Sequence, residues 1–451
     1  MSSYFATRAL LAEGWRHSVR IEVNAQGFIA SITPDSHAAQ AVRISGAVIP
    51  AMANLHSHAF QRAMAGLAEV AGDPQDSFWS WRELMYRLVQ QLSPPQLGDI
   101  ARYLYIAMLK GGYTQVAEFH YLHHDHHGQP YAQDEMLQQL ITAAEQAGIG
   151  QTLLPVLYSH SGFGAQPPQP AQKRFIQHSD SYLRQQENLR HLLRNKPLHN
   201  QGLCFHSLRA VTQQQMEQVL AASSPELPVH IHIAEQEKEV NDSLAWSGER
   251  PVNWLLERFA VDARWCLVHA THLEPQEITR LAASGAVVGL CPTTEANLGD
   301  GIFPATDYIA QGGRWGIGSD SHVSLNVTEE LRWLEYGQRL RDRRRNRIIT
   351  PQQRSTGDLL WQQAASGGAQ ACGVAIGSLA VGQRADWLVL EPDAWLASCH
   401  DSALLNRWLF AGSGSQIRDV WVAGKQVINA GHHALQSEAD ARFAAVMKAL
   451  Q

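Results

Sequence analysis

A chain of 451 residues with 45% hydrophobic side chains can bury a large core, and a net charge of −6 is not the basic footprint of a nucleic-acid binder. No uninterrupted apolar run reaches the ~18 residues of a membrane span, and the N-terminal MSSYFATRALLAEGWRH lacks a basic start followed by a long apolar stretch. A soluble, cytoplasmic protein without nucleic-acid or membrane partners is expected, and the scattered Cys204, Cys266, Cys291, Cys372 and Cys399, with no C-x-x-C spacing, read as reduced and buried.

In chain order, residues 16–32 (RHSVRIEVNAQGFIASI) alternate polar and apolar side chains and turn at Gly27, as half-buried strands do. Eight short apolar runs follow, each ending in polar residues: 47–58, 113–120, 149–160, 202–211, 228–236, 264–272, 286–295 and 314–322. Runs of this kind suit the buried strands of a parallel sheet. Helical patterns separate them, among them MEQVLAAS (216–223) and PQEITRLAASG (275–285). A Gly/Pro-rich loop, 161–172, is inserted after the third run. The basic run Arg341, Arg343, Arg344, Arg345 and Arg347 reads as a solvated helix end. Residues 377–431 alternate again, in QRADWLVLE and DVWVAGKQVINAG. The expected architecture is α/β: a (β/α)8 TIM-type barrel over residues 50–373, with a small β-sandwich-like domain built from both chain ends, 1–49 and 374–451.

In such barrels the C-terminal ends of the strands carry the site. That rule gathers His56, His58, His120, His206, His232, Glu235, His269 and Asp320 at one mouth. His56-Ser57-His58 is an H-x-H pair, and residues two apart in a strand point to the same side. With His232 and Asp320 it supplies three nitrogens and one carboxylate, a set suited to one divalent metal ion, zinc above all, with a position left for water. Glu235, three residues after His232, is placed to protonate a leaving nitrogen, and His269 to hydrogen-bond an attacking water. A second cluster, His123, His124, His126 and His127 around Asp125, reads as a solvated turn.

The motifs NLHSH (54–58), HIHIAEQ (230–236), LVHATH (267–272), CPTTEANL (291–298) and GIGSDS (316–321) together resemble the amidohydrolase superfamily along nearly the whole chain. The resemblance implies a metal-dependent hydrolase in which Asp320 is both metal ligand and acceptor of the water proton. Two-metal members bridge their ions with a lysine at the end of the fourth strand; GLCFHSLRAV contains none, which favours one metal. A closer similarity runs through HSHAFQRAMAGLAE (56–69), DSFWSWRELMY (76–86), AEFHYLHHD (117–125) and CFHSLRAVT (204–212). It is to hydrolases that release ammonia from a linear amidine carrying two carboxylates. It implies a small-molecule dicarboxylate amidine as substrate, bound by Arg82, Arg209, His206, Gln61 and Tyr121, and a homodimeric assembly. Two other expectations compete. One is a nucleobase or heterocycle deaminase with the same metal set, and the other a non-enzymatic scaffold lacking part of it.

Overall fold

The computed structural model describes residues 1–70, 78–391 and 393–450; Asp76 and Ser77 of the DSFWSWRELMY motif lie outside them. The eight apolar runs form eight parallel strands in one sheet. They are Met52–Ser57, Tyr113–His120, Gly150–Leu157, Leu203–Ser207, Val229–Ile233, Trp265–His269, Val287–Leu290 and Arg314–Ile317. Neighbours in that order are hydrogen-bonded, with the short strand His199–Gln201 paired beside the third. The sheet closes on itself just beyond the last strand, where Asp320 N–H donates to the His56 carbonyl (3.0 Å) and His58 N–H to the Asp320 carbonyl (3.4 Å). Closure therefore joins three of the expected metal ligands, His56, His58 and Asp320, through the backbone.

Val, Ile and Leu fill these strands because both faces are covered, the inner by other strands and the outer by helices. The helix Thr356–Cys372 lies against the first and last strands through Gly367 and Gly368. A Cβ on Gly367 would collide with the Trp315 carbonyl, and one on Gly368 would press on Ala53. Glycine is needed here for the closeness of the helix to the sheet.

The chain ends form a second sheet of seven strands, in the order Lys425–Ile428, Ile417–Val422, Trp387–Leu390, Val42–Pro50, Ser2–Leu11, Gly14–Val23, Ile29–Thr33. It has its own buried cluster, including Tyr4, Val19, Ile21, Val48, Trp387 and Val389. Two features differ from the sequence reading. The run 47–58 is not one strand: Val48 and Ile49 pair with Val389 and Leu388 in the end sheet, and the chain crosses at Ala51 into the barrel. Apolar continuity cannot reveal that crossing, because both sheets bury the segment. The strand Ser2–Leu11 lacks the alternation that marks a strand in sequence; its burial does not alternate strictly, with buried Phe5 between buried Tyr4 and Ala6.

The last helix, Gln436–Ala449, leaves this sheet and packs on the barrel helix Pro94–Gly111, where Phe443 stacks on Tyr103 (4.1 Å between ring centroids). The basic run behaves as expected. The helix Val327–Asp342 ends at Arg343, Asp342 pairs with Arg341 and Arg347, and Arg343, Arg344 and Arg345 are exposed. All five cysteines are buried and free. Among the described residues no helix is long and apolar enough to cross a membrane.

Candidate active site

The strand ends bring His56, His58, His232 and Asp320 together, all buried. One carboxylate oxygen of Asp320 lies 3.2 Å from His58 Nε2 and 3.4 Å from His56 Nε2. His232 Nε2 lies 3.0 Å from His56 Nε2. The tautomers follow from the other ring nitrogens. His58 Nδ1 faces the Phe119 carbonyl (2.9 Å) and His232 Nδ1 the His206 carbonyl (3.0 Å). A carbonyl only accepts, so each Nδ1 carries the proton and each Nε2 turns a lone pair to the centre. Burial, followed by the neighbouring His58, holds His56 down to about 3, and burial holds His232 well below the usual histidine range. Burial works to raise Asp320, but its hydrogen bonds with His56 and His58 outweigh it and leave the carboxyl well below the usual range. Neutral imidazole lone pairs converging on an ionised carboxylate are the donor set of a divalent cation, and these residues fit one.

Beside this set, His269 Nε2 lies 3.7 Å from Glu235 and 3.8 Å from Asp320, while its Nδ1 faces Glu295 at 3.3 Å. Burial pushes Glu235 up to about 7; nearby His269 opposes this and Asp320 adds to it. Burial works to lower His269, but the surrounding carboxylates Glu235, Glu295 and Asp320 outweigh it and raise it to about 10. Asp300 completes a group with Glu235 and His269; its Oδ1 accepts from Gln236, and its buried Oδ2 has no partner among the described residues. Glu239 receives the backbone N–H groups of Ala234 and Glu235 (both 3.2 Å), which fixes the turn that carries Glu235. Left-handed backbone occurs at Ala234 (φ 50°), His269 (68°), Ala270 (47°), Asp320 (43°) and His322 (64°). Non-glycine residues held there cost of order 1–3 kcal/mol each, and such strain collects at functional sites.

A cleft opens above these groups. The helix Phe78–Val89 covers one side. Phe78, Trp81, Arg82, Met85 and Tyr86, spaced as one helical face, line the cleft. Gln61, Tyr121, His206 and Arg209 line it too, so all five expected substrate-binding residues share one cavity with His58, His232, Glu235, His269 and Asp320. Gln61 donates to the Tyr121 hydroxyl (3.1 Å). Arg82 and Arg209 lie at 4.6 and 5.8 Å from the centre of the Trp79 ring, and the Nε atoms of both are buried with no partner among the described residues. Burial, then the Arg209 charge, holds His206 well below the usual range, so it enters the cleft as a neutral imidazole.

Two sequence expectations need correction. His120 does not face the mouth. Its strand neighbour Phe119 packs on His56, His58 and His232, and alternation turns Glu118 and His120 the other way. There His120 packs on His123 (5.4 Å), and Glu118 accepts from Ser57 (2.8 Å), Ala59 N–H (2.6 Å) and Tyr105 (3.1 Å). The His123–His127 segment is only partly a solvated turn. His126 and His127 are exposed, whereas His123 is buried on the Val156 carbonyl (2.9 Å) and His124 half-buried on the Ile176 carbonyl (2.7 Å). The residues missed by sequence reasoning are Glu118, Glu239, Glu295, Asp300 and the aromatic walls Phe78, Trp81, Tyr86, Tyr158 and Phe175. Glu295 carried a signal, since it lies in CPTTEANL at the end of the seventh apolar run, and so did Glu118, in AEFHYLHHD at the end of the second, and Phe78, Trp81 and Tyr86, in DSFWSWRELMY.

A closed eight-stranded α/β barrel with these donors at its C-terminal mouth defines the class, and the chain belongs to the amidohydrolase family, whose model matches residues 47–427. The model described as "Formimidoylglutamate deiminase HutF, N-terminal domain" matches residues 1–44. Over 449 residues, 99% of each chain, the sequence is 62% identical to the formimidoylglutamate deiminase of Pseudomonas aeruginosa. The crystal structure of an amidohydrolase from Brucella melitensis superposes with a TM-score of 0.95 at 45% identity, covering 100% of both chains. An adenosine deaminase from Xanthomonas campestris with bound zinc shares the fold (TM-score 0.81, 22% identity, 99% and 98% covered).

Proposed function

We propose that this chain catalyses the hydrolytic deimination of N-formimino-L-glutamate to N-formyl-L-glutamate and ammonia, a step of histidine degradation. The observation that carries the reading is the pairing, in one cleft, of the His/Asp donor set with two guanidinium groups, those of half-buried Arg82 and buried Arg209. The likeness to the Pseudomonas deiminase, at 62% identity over the whole chain, supports it.

His56, His58, His232 and Asp320 would hold one divalent ion, zinc in this reading. Once bound there, the ion acts as a Lewis acid that makes a water nucleophilic at neutral pH. The chain's own residues do the rest. Asp320 accepts the proton of the attacking water. His269 Nε2, between Asp320 and Glu235, orients that water and the tetrahedral centre. Glu235, with its proton retained to about pH 7 by burial, delivers it to the departing nitrogen, so ammonia leaves instead of an amide anion. Arg209 and Arg82 hold the two carboxylates, for which the planar guanidinium offers a two-pronged contact. Gln61, Tyr121 and His206 supply hydrogen bonds along the linker. The same reading makes the enzyme a cytoplasmic homodimer, its barrel spanning 50–373 and its end domain the remainder; sedimentation tests the assembly.

The aromatic walls favour a second reading, deamination of a flat heterocycle. Arg82 and Arg209, facing a neutral ring, would then meet no carboxylate of the ligand to match their planar forks. Incubation with N-formimino-L-glutamate and a nucleobase panel, with both products identified, separates the two. Release of ammonia together with N-formyl-L-glutamate is expected, and faster turnover of a heterocycle would reverse the assignment.

A further inference from the structure

We propose that Glu295 is a positioning residue for this reaction, acting through His269. The inference rests on the deiminase reading and adds a residue to it. His269 stands between three carboxylates, and they divide its ring. Glu295 takes the Nδ1 side at 3.3 Å, and Glu235 and Asp320 take the Nε2 side at 3.7 and 3.8 Å. Only the Nε2 side opens on the cleft, where Glu235 and Asp320 are wall residues and Glu295 is not.

Glu295 is suited to hold a ring still. It is 95% buried and sits in the first turn of the helix Pro292–Leu298. The Oε1 that faces His269 also accepts the Cys291 N–H (2.9 Å), so the carboxylate is tied to the backbone at the end of the seventh strand. The Glu295 carbonyl in turn accepts the Asp300 N–H (2.9 Å), which anchors the residue from the other side. His269 itself ends its strand in left-handed backbone, at φ 68° with Ala270 at 47°. A carboxylate can only accept from an imidazole, so Nδ1 carries a proton whatever the charge of the ring. Nε2 then faces the position between Asp320 and Glu235 where the attacking water must lie. Without Glu295 the ring is free to turn, and the water loses its orienting partner.

The test compares Glu295→Ala, Glu295→Asp and Glu295→Gln with the unmodified enzyme. The alanine variant should lose about 10²-fold in kcat, on the scale of lost orienting partners, with KM and metal content unchanged. Aspartate keeps the charge but withdraws it by a methylene, and should lose activity while melting at the normal temperature. Glutamine keeps the accepting oxygen and should recover kcat to within about tenfold. In a His269→Ala background, Glu295→Ala should cost nothing further. Nitrogen-15 spectra of histidine-labelled protein, recorded with the metal removed, should show His269 Nδ1 protonated and changed in the alanine variant. An undiminished kcat, an equal loss in the His269→Ala background, or an unaltered His269 signal would each overturn the proposal. The unmodified enzyme's failure to act on N-formimino-L-glutamate would instead overturn the functional reading, and the nitrogen-15 result would stand apart from it.

Discussion

The Nε2 atoms of His56 and His232 face each other at 3.0 Å while Nδ1 of His232 is already committed to the His206 carbonyl. Two buried lone pairs cannot rest at that distance without a proton or a cation between them. Metal removal should therefore lower stability as well as activity. A ligand present at ~1,000 times its Kd stabilises by about 4 kcal/mol. Melting curves with and without chelator should differ by several degrees, and one equivalent of zinc should restore both properties. Asp320→Ala should abolish turnover. Full activity only at two ions per chain would end the single-metal reading.

Glu235 sets the expected pH response. Its carboxyl is raised to about 7, chiefly by burial, and it acts as a donor, so the productive form is the protonated one. kcat/KM should fall as pH rises through about 7. Glu235→Gln should lose ~10²–10⁴-fold in kcat with metal content unchanged, and its alkaline limb should be flattened. A variant with normal kcat would remove Glu235 from the chemistry.

Substrate choice should depend on Arg209. Taking one partner from a buried charged pair costs ~3–5 kcal/mol, so Arg209→Ala should lose roughly 10²–10³-fold or more in kcat/KM. Lysine should rescue poorly for want of the planar fork. N-formimino-L-aspartate, shorter by a methylene, should bind yet turn over slowly, because its reacting carbon sits out of line. Equal kcat/KM for that analogue and the glutamate compound would show that the arginines do not measure the substrate.

A stability prediction comes from the helix that packs on the first and last strands of the barrel. Gly367→Ala forces a methyl group onto the Trp315 carbonyl, inside a helix that has no room to retreat. Overpacking of this kind costs typically 1–3 kcal/mol, well beyond the small gain in helix propensity. The urea midpoint should drop with little change in slope, and an unchanged midpoint would mean that the helix is looser than its contacts imply.

The barrel was legible in the sequence because each strand is a short apolar run with a polar terminus, and the terminus is the part that reaches the mouth. His232 and Asp320 stand out for that reason. His120 carries the same mark and points away, since one residue of register decides the face and the sequence does not print register. The helix Phe78–Val89 was harder still. Phe78, Trp81, Arg82, Met85 and Tyr86 have the spacing of any core-facing stripe, and nothing in that spacing says that the stripe looks onto a cleft. Glu295 and Asp300 are single acids whose neighbours come from other strands, so only the closed barrel brings them beside His269.

The end sheet has a consequence for how the molecule is made. The strand Val42–Pro50 pairs on one edge with Ser2–Leu11 and on the other with Trp387–Leu390, some 340 residues downstream. At a ribosomal rate of roughly 5–20 residues per second that second partner arrives about 20–70 s after the first. Throughout that interval a Val/Ile-rich strand presents an open row of peptide groups. The nascent chain is then a ready template for pairing with its neighbours on the polysome, and a chaperone that shields this one edge should raise the yield of active enzyme more than any change within the barrel.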